Sequence, residues 1–172
     1  MDIAFIKQKS RFLCLLFMPL IMACSESLPS QAATESADTR GAEKLSVYKS
    51  PTCGCCAEWM SHMESAGFET VFQHPAVMTE IKNRFNIKAN LKSCHTAVSS
   101  QGYVFEGHVP ARYIREFLAV TPPNTIGFAV PGVPLGSPGM ETGDRFTPYQ
   151  VLALKKDGSS TVFAAVESVA QQ

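Results

Sequence analysis

Three cysteines within four residues, Cys53-Gly-Cys-Cys56, stand between an alternating stretch, Leu45-Ser-Val-Tyr-Lys49, and a run from Gly54 to Ala66 in which Cys56, Trp59, Met60 and Met63 recur at helical spacing. Alternation reads as a strand and the 3.6-residue recurrence as a helix, with Gly67 closing it. The chain must therefore pass from strand to helix across a few residues, with thiols in the first helical turn. The free amides of that turn and the positive end of the helix dipole face the sulfurs and favour thiolate.

The periodicities beyond this point keep alternating. Phe68-Glu-Thr-Val-Phe72 reads as a strand. Pro75 opens a helix through Asn86 with Val77, Met78, Ile81 and Phe85 as its apolar stripe. Thr96-Ala-Val-Ser99 and Tyr103-Val-Phe-Glu106 are strands around a turn at Gly102, and Pro110 starts a helix with Tyr113, Ile114, Phe117 and Leu118 on one face. The order β-α-β-α-β-β-α is that of a thioredoxin-like fold, a mixed sheet with helices on both faces. Residues 125–148 hold five glycines and four prolines, so most of this segment is expected to be an irregular, functional loop. Tyr149 to Lys155 and Thr161 to Ala164 then form a hairpin turning at Asp157-Gly158. The fold class is α/β: a thioredoxin-like sheet flanked by helices, with a Gly/Pro-rich loop and a C-terminal β-hairpin added. The domain spans residues 44–166, and 167–172 are a tail.

Cys53 and Cys56 satisfy the C-x-x-C spacing of a redox site at a strand-to-helix junction. The extra thiol changes the argument. A dithiol needs one sulfur to attack and one to resolve, and a third in the same turn invites scrambled pairing, whereas clustered thiolates suit a soft metal. A fourth thiol, Cys94, lies in Lys92-Ser-Cys-His-Thr96 just before the third strand. Thioredoxin-like folds usually carry a cis-proline there, facing the redox motif. Cys94-His95 in its place brings a sulfur towards Cys53 and Cys56. Zinc competes as a four-cysteine tetrahedral site, but adjacent Cys55 and Cys56 lack the two-residue spacing of zinc knuckles. Cu(I) accepts thiolate and thioether in low coordination and is readily bridged by sulfur, so the candidate ligands are Cys53, Cys55, Cys56 and Cys94, and more than one ion fits. His108 precedes a helix at a strand end beside Cys94, His95 neighbours the thiol, and Met140 joins no apolar stripe. These three are further candidates. Met60 and Met63 belong to the core face, His62 falls with Glu58 and Ser65 on the solvated face, and Glu106 and Glu141 are placed to orient a ligand histidine.

The N-terminus reads separately. Lys7, Lys9 and Arg11, then an apolar run from Phe12 to Met22, then Ala23, make a secretory signal over residues 1–23, too short to span a bilayer as a helix. Ile21-Met-Ala-Cys24 resembles the lipobox of bacterial lipoproteins, which implies a lipid on Cys24. Ser25 in place of Asp points to the outer membrane, and Cys14 leaves with the signal. Residues 24–43 are small and polar and read as a tether. The full chain has 15 basic and 15 acidic side chains; without residues 1–23 the count is 12 against 14. Neither balance offers an electrostatic case for nucleic acid, and the only membrane association expected is through the lipid.

Tyr48-Lys-Ser-Pro-Thr-Cys-Gly-Cys-Cys56 with Trp59 and Gly67-Phe68, Ser93-Cys-His-Thr-Ala97, Glu106-Gly-His-Val-Pro110 and Gly136-Ser-Pro-Gly-Met-Glu141 together make the stretch from Leu45 to Ala164 closely resemble the CopG-like family of copper-resistance proteins, long catalogued as a domain of unknown function. The resemblance implies an exported copper-binding protein whose cysteines hold copper with histidine or methionine assisting. Two positions depart from the family pattern: Val133 replaces a methionine, and Lys88-Ala-Asn-Leu91 replaces a glycine-valine-proline. The resulting expectation is a periplasmic, lipid-anchored protein that binds Cu(I) for resistance or homeostasis, by sequestration, transfer or Cu(I)/Cu(II) interconversion. A copper exporter, copper chaperone or oxidase is the expected partner. The competing reading is a thiol-disulfide oxidoreductase working through Cys53 and Cys56.

Overall fold

The computed structural model describes residues 42–172. The signal, Cys14, the lipidation candidate Cys24 and the tether up to residue 41 lie outside the described residues. Seven strands form one mixed sheet in the order β2-β1-β3-β4-β5-β6-β7. β1 (Lys44–Tyr48) runs parallel to β2 (Glu69–Gln73) through α1 (Gly54–Ser65), and antiparallel to β3 (Thr96–Ser99). β3 pairs antiparallel with β4 (Val104–Glu106), which runs parallel to β5 (Thr125–Ala129) through α3 (Ala111–Ala119). β6 (Tyr149–Lys155) and β7 (Ser160–Val166) extend the same sheet as an antiparallel hairpin. α2 (Met78–Arg84) links β2 to β3, with a 3₁₀ turn at Ala89–Leu91. Among the described residues no helix is long and apolar enough to cross a membrane.

The alternation of strand side chains builds two cores. Phe105, Phe128, Val151 and Ala153 point to the face covered by α1 and α3, where they meet Trp59, Met63, Ile114 and Phe117. Their neighbours Val104, Ala129 and Leu154 point to the other face, against Ile87 and Leu91 from the segment after α2. α1 buries Cys56, Trp59, Met60 and Met63, as its spacing requires, and α3 buries Tyr113, Ile114 and Phe117, with Pro110 as its N-cap.

Two elements differ from the expectation. α2 begins at Met78 rather than Pro75, because the β1–β2 pairing runs on: Lys49 N–H donates to the Gln73 carbonyl, and the His74 ring lies 3.0 Å from the Lys49 carbonyl. Val77 stays extended and is 47% exposed, outside the stripe. The segment expected to be irregular from Thr125 opens with a five-residue strand, β5. Gly127 hid it. A side chain there would put its Cβ 1.7 Å from the Val104 carbonyl oxygen, so glycine marks a close backbone approach of β4 rather than a loop. β5 makes the hairpin part of the main sheet, and the irregular loop shrinks to residues 130–148.

Candidate metal centre

Four chain segments end at one edge of the sheet because of its register. Tyr48 at the end of β1 pairs with Thr96 at the start of β3, Thr96 with Glu106 at the end of β4, and Glu106 with Ala129 at the end of β5. The cysteine motif, Cys94-His95, Gly107-His108 and the loop from Val130 all emerge there.

Cys53 is the N-cap residue of α1, with no side-chain cap on the helix's first amides. A disulfide joins Cys53 to Cys56, while Cys55 and Cys94 are free thiols. The pairing that three thiols in one turn left open is thus resolved in favour of the i, i+3 pair. Cys55 Sγ lies 3.6 Å from Cys53 Sγ and 4.0 Å from Cys94 Sγ, and all four sulfurs lie within 4.8 Å of one another.

His108 supplies nitrogen on the other side of Cys94. Its Nδ1 is 2.7 Å from the Pro138 carbonyl, which can only accept, so Nδ1 carries the hydrogen. Burial holds the His108 pKa below the ordinary imidazole value, opposed by that bond and by the Glu141 charge. A neutral ring protonated at Nδ1 leaves the Nε2 lone pair aimed at Cys94 Sγ, 3.0 Å away. The Cys94 thiol is pushed up to about 12, first by burial and then by neighbouring Cys55, so it donates its S–H to that lone pair at neutral pH. A soft ion entering here displaces one proton and finds sulfur and imidazole already facing each other.

His95 is fully buried and does not point away from the site: its Nδ1 lies 3.4 Å from Cys94 Sγ, and its ring stacks on Trp59 with centroids 4.4 Å apart. Its Nε2 has no hydrogen-bond partner. Burial, then competition with the neighbouring His108 ring and the Lys82 charge, holds its pKa well below the ordinary value, so the ring is neutral. Cys94, His95 and His108 form a second group of donor atoms within 4.8 Å, sharing Cys94 with the four-sulfur group.

Met140 follows Gly139, whose backbone lies directly against α1: an added Cβ would sit 2.7 Å from the Cys55 carbonyl oxygen and 2.6 Å from the Trp59 nitrogen. The loop is thereby seated on the motif, and Met140 is half-buried beside it.

Three placements read from the pattern need correction. Glu106 orients no histidine; its carboxylate takes the Ser93 amide, the Thr96 hydroxyl and the Lys82 ammonium. Glu141 is exposed and acts on His62 and His108 only through its charge. His62 is half-buried rather than solvated, because its Nε2 accepts the Ala111 N–H at the start of α3. Trp59, whose Nε1–H donates to the Val109 carbonyl, and the Pro138 carbonyl were not readable as site residues. Both act through contacts that cross more than 25 positions of sequence and carry no period.

Fold and donors together define a small mixed α/β domain of the clustered-thiol, metal-binding class. The family model described as "Protein of unknown function, DUF411" matches residues 91–140. Two solved structures named copper resistance protein CopG are similar to the chain. Form 2 is 39% identical, with a TM-score of 0.69, over 73% of this chain and 98% of that one. Form 1 is 40% identical, with a TM-score of 0.67, over 72% and 96%. No curated protein matches. The chain belongs to the CopG-like family of copper-resistance proteins.

Proposed function

We propose that the domain binds Cu(I) through Cys53, Cys55, Cys56 and Cys94, with His108, His95 and Met140 assisting, and serves copper resistance or homeostasis. The observation that carries this reading is the shared position of Cys94, in sulfur contact with Cys55 and 3.0 Å from a lone pair of His108. Soft sulfur with neutral imidazole is the donor set Cu(I) takes most readily. His95 presents its Nδ1 to the same sulfur, 3.4 Å away. The names of the two similar structures agree with this reading, and the order β2-β1-β3-β4 supports the thioredoxin-like reading of the fold that carries it.

The disulfide sets the capacity. With Cys53 and Cys56 bonded, only Cys55 and Cys94 remain as thiolate donors among the described residues; reduction makes four available and suits a sulfur-bridged, multinuclear site. It also supplies a route for Cu(I)/Cu(II) interconversion. Two Cu(II) ions oxidising the Cys53–Cys56 dithiol give the disulfide, two Cu(I) and two protons. The decisive experiment is anaerobic Cu(I) titration against a competing chelator. The reduced chain is expected to bind more copper than the disulfide form, and the variant with Cys53, Cys55, Cys56 and Cys94 all replaced by serine to bind none. Unchanged binding in that variant would sink the proposal.

A second reading, a thiol-disulfide oxidoreductase, is favoured by the Cys53–Cys56 bond itself. It requires insulin reduction that depends on Cys53 and exceeds that of free thiol. We place the protein on the periplasmic side of a bacterial envelope, anchored in the outer membrane through Cys24, with a copper exporter, chaperone or oxidase as partner. Fatty-acid labelling that persists in Cys24→Ala would remove the anchor.

A further inference from the structure

Glu106 is fully buried in β4, yet its carboxylate hydrogen-bonds to none of the candidate ligands. Its Oε1 accepts the Ser93 amide at 2.7 Å and its Oε2 accepts the Thr96 hydroxyl at 2.6 Å. Lys82 of α2, only 6% exposed, brings its ammonium against Oε1 and 3.3 Å from the Thr96 hydroxyl. No other cation pairs with Glu106 among the described residues. A buried carboxylate is costly unless it is paired and hydrogen-bonded, and here every contact goes to α2 or to the two ends of the Ser93–Thr96 segment. That segment carries Cys94 and His95. At its His95 end the backbone continues the pairing with β4, the His95 carbonyl accepting the Gly107 N–H. At the Ser93 end it lies outside the ladder and is held by the Glu106 carboxylate, helped by the bond from Ser93 Oγ to the Gly132 carbonyl and by the Gly132 N–H on the Lys92 carbonyl.

We infer that Glu106 is the positioning residue of the metal centre: by holding the Ser93 amide it fixes Cys94 opposite Cys55 and His108, while Lys82, which reaches the Thr96 hydroxyl but not the Ser93 amide, serves as its counter-charge. This rests on the reading of Cys94 as a ligand. It assigns the two members of the ion pair different jobs, which distinguishes it from a general contribution to the core. Losing Lys82 leaves the Ser93 amide with its acceptor, whereas losing the carboxylate leaves that amide unpaired.

The test uses the metal-free full chain in its disulfide form with Cys14→Ser and Cys24→Ser, so that Cys55 and Cys94 are the remaining thiols. A fluorogenic bifunctional alkylator, bright only when it bridges two neighbouring thiols, reports their juxtaposition. K82M is expected to bridge as the unsubstituted chain does. The double variant K82M/E106L, in which an apolar pair replaces the ion pair and the fold is retained, is expected to bridge about ten-fold less. A monofunctional reagent should alkylate Cys55 equally in both. Equal bridging in K82M/E106L, or equal loss in K82M, overturns the inference. Should K82M fail to fold, E106Q keeps an acceptor for Ser93 and is expected to bridge normally; a loss there counts against the assignment. In the unsubstituted chain the Ser93 amide should exchange about 100-fold more slowly than an open amide, and free exchange would be equally damaging. In the copper-loaded comparison, K82M/E106L is expected to lose about ten-fold in Cu(I) affinity and K82M to keep it. If the unsubstituted chain takes up no Cu(I), the proposed function fails while the bridging result still decides the role of Glu106.

Discussion

Cys94 connects the two donor groups, and its proton sets the conditions of binding. Because the thiol is pushed up to about 12, the first ion it receives must displace its one proton, and His108 Nε2 is the nearest base. Replacing His108 by Asn is therefore expected to weaken Cu(I) about 10- to 100-fold while leaving folding intact, as read by chelator competition and circular dichroism. Gly139 tests the other support of His108. It has φ +83°, and a methyl group there would strike the Cys55 carbonyl, so Gly139→Ala is expected to cost about 1–3 kcal/mol in denaturant unfolding and to draw the Pro138 carbonyl away from Nδ1. The cysteine spacing made the sulfurs readable from the chain alone. The disulfide partner was not, since three thiols in one turn allow several pairings and only the helix geometry chooses among them.

Between elements, the contacts that matter join the start of α3 to α1 and β4 to β5. His62 on α1 accepts an amide from the first turn of α3, and burial holds its pKa below 6.5 despite the Glu141 charge. An imidazole harder to protonate in the folded state means the unfolded chain gains more protons as pH falls. The stability tied to it is complete above about pH 6.5 and declines on acidification from there. His95 and His108 shift in the same direction and add to the decline. Urea midpoints of the metal-free disulfide form should fall between pH 7.5 and 5.5. H62Q, which keeps an acceptor but does not titrate, should show a smaller fall without abolishing it. At the β4–β5 contact, Gly127→Ala is expected to cost about 3 kcal/mol or more, because the obstacle is backbone that cannot rotate away. These contacts also explain what the pattern concealed. α1, α3 and the hairpin were readable because apolar periodicity reports burial against a neighbour. β5 was not, because the residue that permits its pairing is a glycine, which in a segment of five glycines and four prolines resembles a loop.

For the whole domain, oxidation state changes the number of sulfur donors without being required for the fold. The Cys53–Cys56 bridge closes a ring only three residues apart in sequence, so on chain-entropy grounds it stabilises by about 2 kcal/mol or less. The sheet and its two apolar clusters do not depend on it. Reduction is therefore expected to leave a cooperative thermal transition at a slightly lower temperature, and to open two further sulfurs. Metal should then reverse the order of stability. A ligand that binds only the folded state adds about 2.7 kcal/mol at a free concentration 100 times its dissociation constant, more than the disulfide supplies. Calorimetry of the oxidised and reduced chains, each with and without Cu(I), should place reduced metal-free lowest and reduced copper-loaded highest. The oxidised form should respond to copper only as far as Cys55, Cys94 and the two histidines allow. An oxidised chain that gained as much from Cu(I) as the reduced one would mean that Cys53 and Cys56 take no part in binding, leaving their disulfide to the oxidoreductase reading.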